Sequence, residues 1–296
     1  MENIHPENIT TDRLSIPVFT ERDLQVDMLR LDKLHPVISG NKWFKLRYYL
    51  EQAKTTGIRT LLTFGGAWSN HIHATAAACY LNGLQAIGII RGEKPAVLST
   101  TLQDAGNWGM QLIFTDRASY REKKIPECID QTSLLIAGEG GYGPAGAAGA
   151  ATLLDYCNTT AYTHILCATG TGTMLAGIMN RCAPHIHCTG ISVMKNNFSL
   201  PETTRLLLQD KSRLPSILHD FHEGGYARHT PALLAFMNDF YTQTGIPTDF
   251  VYTGKLVKAV HELALKNHFP AGSKILLIHS GGLQGNSSLS KGTLIF

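Results

Sequence analysis

Lys42 follows a Ser39-Gly40-Asn41 turn and precedes Trp43-Phe44-Lys45-Leu46, a placement that holds an amine against a ligand instead of leaving it in solvent. Only a neutral amine attacks a carbonyl, so a site that desolvates Lys42, or sets a second cation beside it, turns it into a Schiff-base nucleophile. Lys45, one helical turn further on, is placed to be that cation. A second stretch, Ala168-Thr169-Gly170-Thr171-Gly172-Thr173-Met174, sets alternating glycine and threonine ahead of an apolar helical run. Consecutive backbone N–H groups and hydroxyls at a helix start are what a phosphate dianion needs. No Gly-Lys-Ser/Thr follows, and Leu175 stands where a dinucleotide fingerprint requires its third glycine, so a nucleotide is disfavoured.

A third stretch, Phe64-Gly65-Gly66-Ala67-Trp68-Ser69-Asn70-His71, leaves a strand and opens a helix running through Ala74, Ala76, Ala77 and Ala78. Ser69 or Asn70 caps that helix. The same start presents Ser69, Asn70 and His71 as donors to a carboxylate, aided by the positive end of the helix dipole. The last junction, His279-Ser280-Gly281-Gly282, offers a glycine pair that could lie flat against a planar ring, while His279 reads as a hydrogen-bonded core histidine. His71 and His73, two positions apart on a helix, face different directions and have no matching carboxylate or cysteine cluster, so no metal is expected.

The elements that must position these residues alternate. Thr60 to Phe64, Ala86 to Ile90, Leu112 to Phe114, His164 to Cys167 and Ile275 to Ile278 are short apolar runs bounded by glycine or polar turns, with helical stretches between them. Continuously apolar strands alternating with helices imply parallel sheets covered on both faces, and the fold class is α/β. The run Gly138 to Gly149 is the strongest compositional break and reads as a crossing between domains.

Composition sets the class of partner. The chain has 296 residues, 44% hydrophobic and 17% charged, enough for a large core and two domains. A net charge of +3 without long Lys/Arg runs gives no footprint for nucleic acid or an anionic membrane. Six cysteines form no Cys-x-x-Cys pair, which suits reduced thiols. The N-terminus lacks a basic segment leading into an apolar one, and the expected compartment is the cytoplasm.

A lysine on a turn, a Gly/Thr phosphate cup and a Ser-Asn-His helix start make a site for a ligand with aldehyde and phosphate ends. Together they resemble the fold type II pyridoxal-phosphate enzymes, and within them the 1-aminocyclopropane-1-carboxylate deaminase and D-cysteine desulfhydrase family. The resemblance runs nearly end to end, through Gly40-Asn41-Lys42, Gly65 to His71, Glu139-Gly140-Gly141 with Pro144-Ala145-Gly146, Gly170 to Thr173, Val251-Tyr252-Thr253-Gly254-Lys255 and His279 to Gly282. It implies two open parallel-sheet three-layer domains of the tryptophan synthase beta type: a larger one, residues 1–45 and 156–296, binding pyridoxal 5'-phosphate, and a smaller α/β one, residues 46–155. It also implies a homodimer.

Residue by residue, the likeness implies that Lys42 holds the cofactor and then moves protons at the substrate α-carbon. Asn70 meets the ring hydroxyl; Ser69, Asn70 and His71 meet the substrate carboxylate. Gly170, Thr171, Gly172 and Thr173 hold the phosphate, with Lys45 a further contact. Tyr252 lies against the cofactor ring, and Tyr226 lines the substrate pocket. Thr253 stands where the deaminases carry a glutamate against the pyridine nitrogen. A hydroxyl pairs with a neutral pyridine, a weaker electron sink, which suits α,β-elimination of D-cysteine to pyruvate, ammonia and hydrogen sulfide better than opening an unactivated cyclopropane. The alternatives are a 1-aminocyclopropane-1-carboxylate deaminase giving 2-oxobutyrate, and a non-catalytic binding protein for the cofactor or an amino acid. The chain departs from the pattern at His73, where many relatives carry a long polar residue, and at Met174, where a hydroxyl residue is common.

Overall fold

A computed structural model describes residues 4–296. The chain enters through β1 (Thr11–Arg13), α1 (Pro17–Glu21) and β2 (Gln25–Arg30), and α2 (Asn41–Thr56) leads away from them. Next come β3 (Thr60–Gly65), α3 (Asn70–Leu81), β4 (Gln85–Arg91), α4 (Thr100–Asn107), β5 (Gln111–Thr115), α5 (Arg117–Arg121), β6 (Leu134–Ala137) and α6 (Pro144–Ala151). The remainder is β7 (His164–Thr169), α7 (Thr173–Arg181), β8 (His187–Ser192), α8 (Leu200–Arg205), β9 (Ser216–Leu218), α9 (Pro231–Thr244), α10 (Thr253–Leu265) and β10 (Lys274–His279).

Two sheets result. One has six strands in the order β1-β2-β10-β7-β8-β9, the other four in the order β5-β4-β3-β6. The strands pair in parallel apart from β1, which runs antiparallel along the β2 edge. Apolar content explains the arrangement: Ile275, Leu276, Leu277 and Ile278 of β10 are wholly buried, and so are the equivalents on β7 and β3, as strands covered on both faces must be. The two sheets make an α/β protein of two parallel-sheet domains. Among the described residues no helix is long and apolar enough to cross a membrane.

The stretch from Gly138 to Gly149, expected as a crossing, is half turn and half helix. Its second part is α6, wedged between α2 and α7. A side chain on Gly149 would strike the Phe44 carbonyl of α2, so glycine there sets how closely the helices approach. The carboxyl ends of β3, β4, β6, β7 and β8 open toward one cavity between the sheets, where open α/β sheets bind ligands.

Candidate active site

The turn before Lys42 is set by contact with the last strand. Gly40 adopts φ +64° directly against the Ser280 carbonyl, which leaves no room for a Cβ, and the Asn41 N–H donates to that carbonyl at 3.2 Å. Helix α2 therefore starts at Asn41 with Lys42 aimed inward, 7% exposed. Its Nζ donates to Asn41 Oδ1 at 2.6 Å and lies 5.3 Å from the Tyr252 ring centre. Asn41 is in turn oriented by donating from Nδ2 to Met174 Sδ at 3.2 Å. Burial pulls the Lys42 ammonium down to about 8, opposed by the charge of Asp249. A useful fraction is thus neutral near physiological pH. Lys45 is also buried and donates to the Gly140 carbonyl at 3.1 Å; desolvation, then repulsion from Lys42, holds it well below the usual lysine range.

At the β3–α3 junction Ser69 is the helix cap, its Oγ accepting from the Ile72 N–H at 3.3 Å. Asn70 is buried against the Gly282 backbone, and His71, 2% exposed, has no hydrogen-bond partner on either ring nitrogen. Burial, followed by the charges of Lys42 and Lys45, keeps His71 neutral. A neutral imidazole buried with both nitrogens unpaired is costly, and a ligand that supplies partners relieves that cost.

At the β7–α7 junction Gly172 caps the helix with φ +81°, packed so closely on Thr204 that a side chain would collide with its hydroxyl. The Thr171 and Thr173 hydroxyls lie 2.9 Å apart. Gly170, Thr171 and Gly172 line the cavity just ahead of the helix, whose first N–H groups lack intrahelical partners, a backbone cradle suited to a phosphate. The β10 junction behaves differently from its sequence reading. Gly281 and Gly282 do not line the cavity; they press against Ser39, Gly40 and Asn70 and so support the turn that aims Lys42. His279 is buried, with Nε2 2.8 Å from the Pro247 carbonyl and Nδ1 3.4 Å from Asp32.

Tyr252 and Tyr226 meet edge to face, centroids 6.1 Å apart and hydroxyls 3.4 Å apart. Desolvation raises both phenols, Tyr252 well above its ordinary value, so both keep their protons. The turn carrying Tyr252 is built on Asp249, a buried carboxylate that accepts from the N–H groups of Val251, Tyr252 and Thr253 at 3.1, 2.8 and 2.9 Å. Thr253 is wholly buried, and its Oγ1 has no partner.

The cavity, of about 920 Å³, brings Lys42, Lys45, Ser69, Asn70, His71, Gly170, Thr171, Gly172, Tyr226 and Tyr252 to one surface. Thr173 and Thr253 stand just behind its wall. His73 is turned away, 3.3 Å from Asp104 and edge-on to Trp108, so it ties α3 to α4. Met174 does line the cavity. Asn41 and Asp249 had no assigned role from sequence: Asn41 sat inside a recognised motif, whereas Asp249 looks like any turn aspartate until its three N–H partners are seen. The orphaned His71 nitrogens, the orphaned Thr253 hydroxyl, the softened lysine and the backbone cradle fit an aldehyde-bearing, phosphorylated pyridine.

Known proteins agree with that fit. A Pyrococcus horikoshii protein provisionally named 1-aminocyclopropane-1-carboxylate deaminase is 29% identical over 84% of this chain and 81% of its own. The bifunctional D-cysteine desulfhydrase/1-aminocyclopropane-1-carboxylate deaminase of Arabidopsis thaliana mitochondria is 27% identical over 84% of this chain and 70% of its own. A crystal structure of an ACC deaminase homologue superposes with a TM-score of 0.81 at 26% identity, covering 94% of this chain and 90% of the other. The family model for pyridoxal-phosphate dependent enzymes matches residues 17–281, and the chain belongs to that family, with pyridoxal 5'-phosphate as its cofactor.

Proposed function

We propose that this enzyme is a lyase catalysing α,β-elimination from a small amino acid, with D-cysteine the first substrate: D-cysteine and water give pyruvate, ammonia and hydrogen sulfide. The observation that carries this reading is Thr253, a hydroxyl buried without a partner at the start of α10, where the resemblance puts the contact to the pyridine nitrogen. A threonine there leaves the nitrogen uncharged, and a moderate electron sink suffices when thiolate leaves the β-carbon as soon as the α-proton is lost.

When bound, the cofactor supplies the electron sink that stabilises negative charge at the substrate α-carbon. Lys42 would hold the cofactor aldehyde, and its Nζ, already softened to about 8, takes the α-proton. The backbone at Gly170, Thr171, Gly172 and Thr173 would hold the phosphate, with Lys45 nearby, and Asn70 would meet the ring hydroxyl. Ser69, Asn70 and neutral His71 bind and orient the substrate carboxylate. Tyr252 packs on the ring, and the Tyr226 and Tyr252 phenols, kept protonated by burial, donate to the departing sulfur.

Deaminase activity on 1-aminocyclopropane-1-carboxylate is the second reading, supported by the names of the relatives. A panel of D- and L-amino acids and the cyclopropane substrate, scored for sulfide and 2-oxo acid, decides between them. Sulfide with pyruvate from D-cysteine supports elimination; 2-oxobutyrate from the cyclopropane, without sulfide from D-cysteine, would replace it. No product from any compound would reduce the chain to a binding protein. Light scattering of the purified protein tests the expected homodimer.

A further inference from the structure

The segment between β9 and α9 carries Tyr226 into the site, and it has no helix or strand of its own. Four of the five residues 223–227 have left-handed backbone: Glu223 (φ +51°), Gly224 (+92°), Gly225 (+118°) and Ala227 (+52°). For glutamate and alanine that conformation is disfavoured and persists only where surrounding contacts over-determine it. The contacts here converge on one buried cation. Lys255, wholly buried, donates from Nζ to the His222 carbonyl at 2.8 Å and to the Gly225 carbonyl at 2.7 Å. Among the described residues no carboxylate lies within ion-pair distance of it. Burial draws its ammonium down to about 8, with Asp249 and then Glu223 opposing. A second tie comes from Lys258, three residues on, whose Nζ reaches Glu223 Oε1 at 2.7 Å, while Glu223 also accepts the Thr230 hydroxyl.

We propose that Lys255 is a positioning residue: its ammonium straps the 222–227 segment to α10 and thereby fixes the Tyr226 hydroxyl beside Tyr252 in the substrate pocket. The placement has a mechanical logic. Helix α10 starts at Thr253, immediately after Tyr252, so the strap joins the substrate side of the pocket to the helix that bears the cofactor contacts. Tyr226 has somewhere else to go. A second cavity of about 260 Å³, lined by Tyr226, Phe250 and Leu289 and also by Trp68, Asn70 and Tyr252 of the site, adjoins its ring. Without the strap, relaxation of Glu223 and Ala227 would let the phenol swing toward it. The Lys258–Glu223 pair, more exposed than Lys255, plays the lesser part.

The inference rests on the assignment of Tyr226 to the substrate pocket, and the test separates the two. Hydrogen exchange of the holoenzyme and apoprotein is compared for wild type and Lys255→Met, together with kcat and KM on the best substrate of the panel. Faster exchange confined to residues 222–228 is expected, with β7 and β10 amides unchanged. KM should rise about tenfold, the scale of one charge-assisted hydrogen bond, with kcat moving less. In a Tyr226→Phe background, Lys255→Met should add less than about twofold to KM, because both changes then act through the same hydroxyl. Unchanged exchange at 222–228, uniform loosening of the whole protein, or fully additive effects would each overturn the strap. If Lys255→Met does not fold, Lys255→Gln, which keeps part of the stem and a neutral donor, carries the test: a smaller KM rise with faster exchange at 222–228 supports the proposal, and no change in either sinks it. Should the wild type turn over no amino acid, the elimination reading fails, while the exchange comparison still decides the strap.

Discussion

The β3–α3 and β7–α7 junctions share one local plan, a strand that runs into glycine and then feeds a helix N-terminus, yet they present opposite chemistry. At β7–α7 the contacts on offer are backbone: Gly172 is folded into a conformation that side-chain-bearing residues avoid, and the Thr171 and Thr173 hydroxyls are within bonding distance of each other. At β3–α3 the cap is already satisfied by Ser69 Oγ, and what faces the cavity is an unpaired, neutral His71. A backbone cradle holds a fixed group, such as the phosphate of a resident cofactor. Unpaired side chains suit a group that comes and goes, such as a substrate carboxylate. Lys42 stands between them, its turn held by the third junction at Ser280.

The largest effect should come from that shared residue. Lys42→Ala is expected to lower turnover by at least about 10²–10⁴-fold while far-UV circular dichroism stays native. Product release at the wild-type rate would remove Lys42 from the chemistry and leave the two junctions with nothing in common. Gly172→Ala comes next. It puts a Cβ at φ +81° and into Thr204, so cofactor affinity should drop more than about tenfold and urea unfolding should show roughly 1–3 kcal/mol of lost stability. A cofactor titration indistinguishable from wild type would mean the cup is only a turn. His71→Phe should raise KM about tenfold and leave cofactor affinity within about twofold. If the cofactor constant moved instead, the division of labour between the junctions would be wrong.

Much of this was legible. All five apolar runs are strands, the interior ones covered on both faces and β5 a half-buried edge, while Lys42, His71 and the cup stood out at their junctions and took their roles from the family resemblance. Strands β8 and β9 were not legible: β8 reads His-Cys-Thr-Gly-Ile-Ser, with an exposed first residue, and β9 has three residues at an edge. Nor was β1 on its antiparallel edge, where three polar residues carry no pattern. What local sequence cannot carry is partnership across the chain. Asn41 against Met174 and Gly281 under Gly40 are each made by segments distant in sequence, and the glycine pair was misread because its neighbour is backbone more than two hundred residues away.

Proton loss from Lys42 sharpens the comparison in time. Burial lowers the ammonium from 10.5 to about 8, so the neutral amine becomes available as pH rises through 8 rather than through 10.5. The rate at which apoprotein captures pyridoxal phosphate should climb about fivefold between pH 7 and 8, the change in neutral fraction for a group titrating near 8. Stopped-flow absorbance measures it, and a rate that climbs about tenfold per pH unit through pH 9 without levelling, as for an ordinary amine titrating near 10.5, would place the lysine outside the desolvated site.

The smallest effect is the most discriminating. Thr171→Ala deletes a hydroxyl from the cup and leaves its backbone intact. If the cradle works through N–H groups, only one neutral hydrogen bond is lost, about 0.5–1.5 kcal/mol, or roughly 2–10-fold in the cofactor dissociation constant. KM for the amino acid should not change if Thr171 serves the phosphate end, as proposed. A loss as large as that of Gly172→Ala would show that the threonine hydroxyls, and not the glycine backbone, hold the phosphate. The two junctions would then differ only in which side chains they present.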